Sequence, residues 1–323
     1  MEDYLFWLLK AATITVFLGI IGTLLVFVFH NIEISPGKLV IRNLNKQYAS
    51  FTTAFKLAGI KGEKAEEPEK KKTNAFLLTF KGDIAASEVE RLRQEVTAIL
   101  QTAKKKDQVV IQLDSPGGMV HSYGFAASQI LRLRENGIPV TVCVDHVAAS
   151  GGYMMACVAN RIVAAPFAVV GSIGVVAQVP NLHKWLKKRD IDYTVYTAGE
   201  HKRTLTVLGE NTEEGEKKFK ERLGEVHELF KNFVTRYREI DIEQVATGET
   251  WYGDEALEIG LVDEVKTSDD VLLGLAKDHN LYHFKFVPSK SWAKRMGETA
   301  QACVSDAMLQ FLSGLHSKEI IKQ

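Results

Sequence analysis

The sequence is poor in cysteine and proline, and it has no excess charge of either sign. Its 323 residues include only three cysteines and seven prolines. Three scattered cysteines exclude a disulfide scaffold and a four-ligand zinc site, so Cys143, Cys157 and Cys303 are interpreted as small buried apolar side chains. The scarcity of proline excludes collagen-like and proline-rich architectures.

The balance of charge excludes another class of protein. Lysine and arginine total 40, aspartate and glutamate also total 40, and the formal net charge is zero. No global basic field exists to hold nucleic acid by counterion release, so no nucleic-acid partner is expected. Hydrophobic residues make up 46% and charged residues 25% of the chain, which is typical of a globular protein and excludes a mostly disordered one.

One long apolar run stands near the N-terminus. Residues Ala11–Phe29 contain no charged side chain, and as a helix they would be roughly 28 Å long, close to the hydrocarbon thickness of a bilayer. The run is longer than the apolar core of a signal peptide, and no small-x-small cleavage site follows it. We therefore predict a single permanent transmembrane anchor within residues 1–30.

The segment after the anchor is rich in charge. Lys38, Arg42 and Lys46 follow the apolar run, whereas Lys10 alone precedes it, so the positive-inside rule favours a cytoplasmic body. Lys61–Lys72 is a dense mixed-charge stretch that cannot bury enough surface to order itself. We interpret residues 31–74 as a juxtamembrane segment and solvated linker.

From residue 75 onward, apolar strand-like runs alternate with helical spacing, which predicts an α/β domain with a parallel sheet over residues 75–285. Residues 286–323 carry apolar side chains at three- and four-residue spacing, which predicts a C-terminal amphipathic helix. That helix could pack on the core, on a neighbouring subunit or on the membrane. The expected strands are 75–80, 109–113, 139–144, 161–164 and 193–197, and the expected helices are 87–103, 119–135, one beginning near 150, and 213–237.

Two glycine-containing turns could carry chemistry. Asp114–Gly118 (DSPGG) lies between a predicted strand and a predicted helix, where two glycines permit a sharp turn and free amides attract negative charge. It could equally be a simple tight turn. Ser150 begins the next helix among small residues, where its hydroxyl could be a nucleophile with the Gly151 amide beside it. Alternatively, Ser150 is only an N-cap.

A hydroxyl nucleophile needs a base. None of the nine histidines lies in a recognisable triad context, and His146 is too close to Ser150 along the chain for a good relay. Lys202 follows a predicted strand and is the better candidate. A lysine can act as a base only when it is neutral, which requires a desolvating site.

Four segments follow one another along the chain: DSPGG at Asp114–Gly118, VAASGGYMMA at Val147–Ala156, GSIGV at Gly171–Val175 and AGEHKRTL at Ala198–Leu205. Together they resemble the S49 family of membrane-anchored serine peptidases, relatives of signal peptide peptidase A. The resemblance implies a ClpP/crotonase-like β-α superhelix.

The same resemblance implies roles for five residues. Ser150 would be the nucleophile, Lys202 the general base, Gly118 and Gly151 the donors of an oxyanion hole, and Ser172 the hydroxyl that orients the lysine. It implies no metal and no cofactor. The expected partners are polypeptide substrates, the lipid bilayer and further copies of the chain.

The function that follows is a serine endopeptidase of the bacterial inner membrane, acting on signal peptides or unfolded envelope polypeptides. Two alternatives belong to other classes. Crotonases also use paired amides as an oxyanion hole, so an acyl-CoA enzyme is possible on this fold. A non-catalytic membrane scaffold is the other.

Overall fold

The computed structural model describes residues 37–60, 73–199 and 202–288. Residues Leu39–Phe286 form one compact unit. The predicted anchor, the charged run 61–72 and nearly all of the predicted C-terminal helix lie outside the described residues, as do Cys303 and His201. Within the three described ranges, no helix is both long and apolar enough to cross a bilayer.

A seven-stranded sheet forms the centre of this unit, with the strand order β1-β10-β2-β3-β4-β6-β9. The pairs from β10 through to β9 are all parallel, as the continuous apolar runs predict. The strands are β1 Lys38–Asn43, β2 Asn74–Lys81, β3 Gln108–Asp114, β4 Val140–Val144, β6 Arg161–Ala164, β9 Glu264–Val265 and β10 Asn280–Val287.

A smaller sheet of three short strands stands beside the end of β3. Its strands are β5 Val147–Ala149, β7 Val169–Gly171 and β8 Thr250–Trp251, with β5 parallel and β8 antiparallel to β7. A parallel bridge between Ser115 and Ala148 joins the start of the DSPGG loop to β5. The two glycine-containing turns therefore leave neighbouring strands.

Nine helices lie in the described part of the chain. Several carry clear start signals: in α6, the side chain of Thr212 accepts the N–H of Gly215, and three glutamates occupy the first turn, where they favour the positive end of the helix dipole. The helices are α1 Leu44–Leu57, α2 Val89–Thr102, α3 Val120–Glu135, α4 Gly151–Ala156, α5 His183–Lys187, α6 Glu213–Thr235, α7 Ile242–Val245, α8 Gly253–Glu258 and α9 Ser268–Asp278.

Successive residues of the central strands point to opposite faces, and each face has its own core. On one face Phe76, Leu78 and Phe80 pack with α2, α3, α4 and α6 in the larger cluster. On the other face Ala75 and Leu77 pack with Leu44 of α1 and with α9. The larger core holds the turns that surround Ser150.

The predicted α/β class and parallel sheet are confirmed, and the expected strands match β2, β3, β4 and β6 to within a residue or two. One strand prediction is wrong. Residues 193–197 are irregular, and the side chains of Tyr193, Val195 and Tyr196 are exposed. Residues 38–57, predicted to be juxtamembrane, form β1 and α1, and Leu44 is buried.

Candidate active site

Ser150 lies at the turn between β5 and α4, in a backbone conformation that non-glycine residues rarely adopt. Its φ of 53° and ψ of −118° cost about 1–3 kcal/mol, and such a conformation persists only where the surrounding structure holds it. The Ser150 N–H donates to the Gly171 carbonyl at 2.8 Å, and the Ser150 carbonyl accepts the N–H of Met154 at 3.0 Å. Ser150 stands at the N-cap position of α4, but its hydroxyl makes no capping hydrogen bond, so the side chain does not serve as a cap.

The DSPGG loop packs directly against Ser150. Gly117 has a φ of +89°, and a Cβ placed on it would lie 2.7 Å from the Gly151 nitrogen and 2.8 Å from the Ser150 Cβ. A Cβ on Gly118 would overlap the carbonyl of Ile84. Both positions therefore require glycine, one for conformation and space and the other for space alone. The structure brings the two predicted turns together, and the loop is more than a simple tight turn.

Two backbone N–H groups beside Ser150 are unused. Within the described residues, neither the Gly118 N–H nor the Gly151 N–H donates a hydrogen bond to any protein group. Both glycines border the cleft that contains Ser150. Unpaired donors next to a hydroxyl nucleophile are the groups that stabilise the oxyanion of acyl transfer.

The remainder of that cleft is apolar and narrow. Its empty volume is about 260 Å³ with adjoining open solvent included, and beyond the glycines and Ser150 its walls are apolar side chains. Such walls accept a small apolar side chain and offer nothing to a charged one. The lining side chains are Val120, Met154, Val175, Val226 and Phe230.

Ser172 stands one residue from the carbonyl that holds Ser150. Its φ is +51°, and its N–H donates to the Glu249 carbonyl at 2.6 Å. The side chain is half-buried, and it makes no hydrogen bond to a described group. The GSIGV segment thus contacts the Ser150 turn through Gly171, as its place in the predicted set suggests.

Lys202 lies on an exposed loop, and its N–H donates to the Gly199 carbonyl at 3.1 Å. In the described ranges, no hydrogen bond or ion pair joins its ammonium group to Ser150 or to any other residue. The structure therefore brings together Ser150, Gly118, Gly151 and Ser172 but does not bring Lys202 to them. The wrong strand prediction at 193–197 belongs to the same irregular segment.

The other groups with potential chemistry lie elsewhere or are inert. Burial raises the pKa of Cys143 to about 12 and that of Cys157 further, so both thiols stay protonated as predicted for buried apolar residues. His146 is exposed and stands 3.6 Å from the Asp114 carboxylate. No cluster of metal-ligating side chains occurs among the residues that the structure describes.

Sequence reasoning missed several residues around Ser150. Tyr123 is fully buried behind the DSPGG loop, and its hydroxyl forms a hydrogen bond of 2.7 Å with Ser115, a fully buried residue of that loop. Val226 and Phe230 reach the cleft from α6, which is distant in sequence. Ser115 belongs to the DSPGG motif, but no local motif marks Tyr123, Val226 or Phe230, although the helical spacing of Val226 and Phe230 indicates a shared face.

Comparison with known proteins gives a consistent family. The model of "Peptidase family S49 N-terminal" matches residues 1–130, and that of "Peptidase family S49" matches residues 132–282. The "Probable protease SohB" of Haemophilus influenzae is 56% identical over 242 residues, covering 75% of this chain and 68% of that protein. A protein of the same name from Buchnera aphidicola is 49% identical over 240 residues, covering 74% and 71%.

Among solved structures, a mutant of a membrane-bound stomatin-specific protease in complex with a substrate peptide is 18% identical. It covers 62% of this chain and 80% of its own, with a TM-score of 0.39. The family models and the relatives by sequence agree over most of the chain. The S49 resemblance read from four short segments is therefore confirmed, and the chain belongs to peptidase family S49 and is a serine protease that acts on polypeptides.

Proposed function

We propose that the chain is a membrane-anchored serine endopeptidase that works through a dyad of Ser150 and Lys202. One observation carries the proposal: a serine hydroxyl stands beside two backbone N–H groups in an apolar cleft, and none of the three has a hydrogen-bond partner among the described residues. The family match supports this chemistry over an acyl-CoA enzyme and over a non-catalytic scaffold. The ClpP/crotonase-like superhelix is part of the same proposal.

The proposed reaction follows from these groups. The Ser150 Oγ attacks the carbonyl carbon of the scissile bond while its proton passes to the neutral amine of Lys202. The N–H groups of Gly118 and Gly151 stabilise the resulting oxyanion. The lysine then gives the proton to the leaving amine, and water releases the acyl group from Ser150 by the same steps. Ser172 would orient the lysine amine between these transfers.

Lys202 must approach Ser150 for this reaction. In the described residues its side chain is exposed and unpaired. Two large side chains before it are also exposed: Trp185 on α5 at 51% and Tyr196 in the irregular segment at 92%. An exposed apolar segment is typical of a surface that another molecule covers. We propose a homo-oligomer in which a neighbouring copy covers this segment and the dyad is completed.

The apolar cleft bears on the choice of substrate. Because Val120, Val226 and Phe230 leave little volume beside Ser150, we expect cleavage after small apolar residues. Such residues are abundant in signal peptides and in unfolded envelope polypeptides, which are the proposed substrates. The run Ala11–Phe29 would place the enzyme in the bacterial inner membrane.

Two variants test the dyad. Ser150→Ala removes one oxygen, and Lys202→Met removes the amine with little change in side-chain volume. Each should lower cleavage of an unfolded protein at least about a thousandfold, because nucleophile and base act as one unit. A fluorophosphonate should label wild-type Ser150 and leave both variants unlabelled.

Matched controls keep the result specific. Ser128→Ala removes an exposed hydroxyl that bonds only to the Gly124 carbonyl, and Lys184→Met removes an exposed lysine from α5. Both should cleave like the wild type. Cleavage above a few per cent in Ser150→Ala would exclude it as the nucleophile, and the same result in Lys202→Met would exclude the lysine. A compartment-sensitive reporter fused to the C-terminus decides the side of the membrane.

A further inference from the structure

A series of hydrogen bonds joins the DSPGG loop to Tyr123 and Asp83, which lie behind it. The Tyr123 hydroxyl lies 2.7 Å from the Asp83 carbonyl and 2.7 Å from the Ser115 Oγ, and the Ser115 Oγ lies 3.1 Å from the Gly117 nitrogen. Ser115 and Tyr123 are both fully buried. None of these groups touches the cleft that contains Ser150.

The direction of this series is fixed by its ends. A carbonyl can only accept, so the Tyr123 hydroxyl donates its proton to Asp83. Tyr123 must then accept from Ser115, and Ser115 in turn accepts from the Gly117 N–H. Burial raises the pKa of Tyr123, so its hydroxyl keeps the proton that this order requires. Every donor and acceptor along the line is satisfied, which rigidifies a buried network.

The ring of Tyr123 also touches the other turn. A Cβ placed on Gly151 would overlap the Tyr123 ring, so the ring lies flush against the Gly151 backbone. The same side chain thus holds Gly117 through Ser115 and supports Gly151 by direct contact. Gly82 makes room for the arrangement, because a Cβ there would overlap both hydroxyls.

We propose that Tyr123 is a positioning residue that sets the two N–H groups of the oxyanion hole against each other. This inference rests on the proposed function, in which the Gly118 and Gly151 amides stabilise the oxyanion. The hydrogen bond at the Gly117 nitrogen restrains rotation before the peptide unit that carries the Gly118 N–H. The ring restrains the peptide unit that carries the Gly151 N–H. Tyr123 does not line the cleft that contains Ser150.

Tyr123→Phe tests the inference in the full-length chain purified in detergent, because it keeps the ring and removes the hydroxyl. A misplaced oxyanion donor weakens binding of the transition state and leaves substrate binding intact. We expect kcat for a peptide substrate to fall roughly 10- to 100-fold. This loss is at most comparable to the loss of kcat when an oxyanion donor is removed altogether. KM should stay within about threefold.

A second readout separates positioning from general damage. A peptide aldehyde forms a hemiacetal with the Ser150 Oγ, and its oxygen occupies the oxyanion hole, whereas the matching peptide alcohol stays unreactive. In Tyr123→Phe the ratio of the affinity for the aldehyde to the affinity for the alcohol should fall by the same factor as kcat. Ser115→Ala removes the same bond from its other side and should give the same pattern, so the test survives if one variant does not fold.

The chain offers a matched control in Tyr153→Phe. Tyr153 is fully buried, and its hydroxyl donates to the Leu261 carbonyl at 2.9 Å, so this variant also leaves a buried carbonyl without its donor. Its kcat and aldehyde preference should remain near wild type. If Tyr123→Phe and Ser115→Ala match Tyr153→Phe in both readouts, the hydroxyl chain is merely structural and the inference is wrong.

Ser150→Ala distinguishes the two levels of failure. If it abolishes cleavage while Tyr123→Phe behaves like Tyr153→Phe, only the inference fails. If Ser150→Ala cleaves as fast as the wild type, the proposed function fails and the inference fails with it.

Discussion

The Glu95 carboxylate on α2 accepts the backbone N–H of Phe286 on β10 at 2.9 Å through its Oε1 atom. Glu95 is only 1% exposed, and its Oε2 atom has no hydrogen-bond partner among the described residues. The Arg91 Nε stands 3.4 Å from Oε1. Burial outweighs both the hydrogen bond and Arg91 and raises the pKa of Glu95 to about 7.

This raised pKa predicts a pH-dependent free energy of unfolding. Between its ordinary pKa of 4.5 and about 7, Glu95 binds a proton in the folded state and not in the unfolded state. Its contribution to stability is therefore fully present below about pH 4.5 and is lost as the pH rises to about 7. The loss amounts to about 3 kcal/mol.

Glu95→Gln isolates the effect, because glutamine cannot ionise. We expect Glu95→Gln to gain about 2.5 kcal/mol of stability relative to the wild type as the pH rises from 5 to 8, measured by urea denaturation. Glu90→Gln is the control, since Glu90 is an exposed carboxylate on the same helix. If the free energy of unfolding changes with pH in parallel for wild type and Glu95→Gln, Glu95 does not cause the pH dependence.

Much of the fold could be predicted because buried parallel strands are continuous apolar runs bounded by turn residues. β2, β3, β4 and β6 all fit that description. The error at 193–197 has a physical cause: β-branched and aromatic residues favour a strand only where a neighbouring strand packs against them. Tyr193 and Tyr196 have no such neighbour in the described chain and stay exposed. β10 was missed, although Leu281 and Phe284 are buried on it.

Replacement by alanine should be harmful at Gly82 and favourable at Gly274. A Cβ on Gly82 would overlap the hydroxyls of Ser115 and Tyr123, whereas a Cβ on Gly274 in α9 meets no atom within 4 Å. Gly274→Ala should raise the free energy of unfolding by about 1 kcal/mol, since alanine favours a helix. Gly82→Ala should displace the hydroxyl pair and lower kcat at least about tenfold.

Thermal melting and peptide kinetics, measured side by side, check both variants. A Gly82→Ala enzyme with wild-type kcat would show that the hydroxyls can move without consequence. A less stable Gly274→Ala protein would show that α9 has a close neighbour at this position.

Val226 should control the size of the residue before the cleaved bond. It lines the cleft beside Ser150 from α6 and is partly exposed, so Val226→Ala enlarges the cleft at small cost to the core. We expect kcat/KM for a leucine substrate to rise about tenfold relative to an alanine substrate, the usual effect of a methylene-sized change. Val207→Ala, an exposed valine away from the cleft, should leave the ratio unchanged. An unchanged ratio in Val226→Ala would place the substrate side chain elsewhere.

The site was predictable where backbone chemistry demands particular residues, and not elsewhere. Gly117 and Ser150 stand in backbone conformations that few residue types adopt, so the sequence at these positions is restricted and recognisable. The sequence around Tyr123 is not restricted in this way, since the role of Tyr123 depends on which loops pack against it in the folded protein. The partner of Lys202 is equally unpredictable from spacing, because Lys202 lies on an exposed loop and no regular element fixes which residues face its side chain.

Mixing two inactive variants tests where the lysine of each dyad originates. If a neighbouring copy supplies it, particles that contain both Ser150→Ala and Lys202→Met chains include sites with an intact Ser150 and an intact Lys202. Coexpression in equal amounts should then restore about a quarter of wild-type turnover, the fraction expected for random pairing in a symmetric assembly. Activity no higher than that of the separate variants would assign the lysine to the same chain as its serine.

The position of a truncation should decide whether the catalytic unit stays folded. The side chain of Asn45 donates to the carbonyls of Ala276 and His279 and accepts the N–H of Leu281 at 2.7 Å. Deleting residues 1–36 keeps these bonds, whereas deleting 1–72 removes β1 and α1 and uncovers the edge of β10. We expect the longer deletion to melt about 10 °C lower than the shorter one.

Light scattering and a melting curve on both deletions complete this test. The deletion of 1–36 should give a particle several times the mass of one chain, because the exposed segment around Trp185 and Tyr196 remains available to a neighbouring copy. Asn45→Ala in the full chain is the point control, and it should lower the melting temperature in the same direction as the longer deletion. Equal melting temperatures for the two deletions would mean that β1 and α1 add nothing to the sheet. A monomeric particle with full activity would exclude an assembled site, because every dyad would then have to form within one chain.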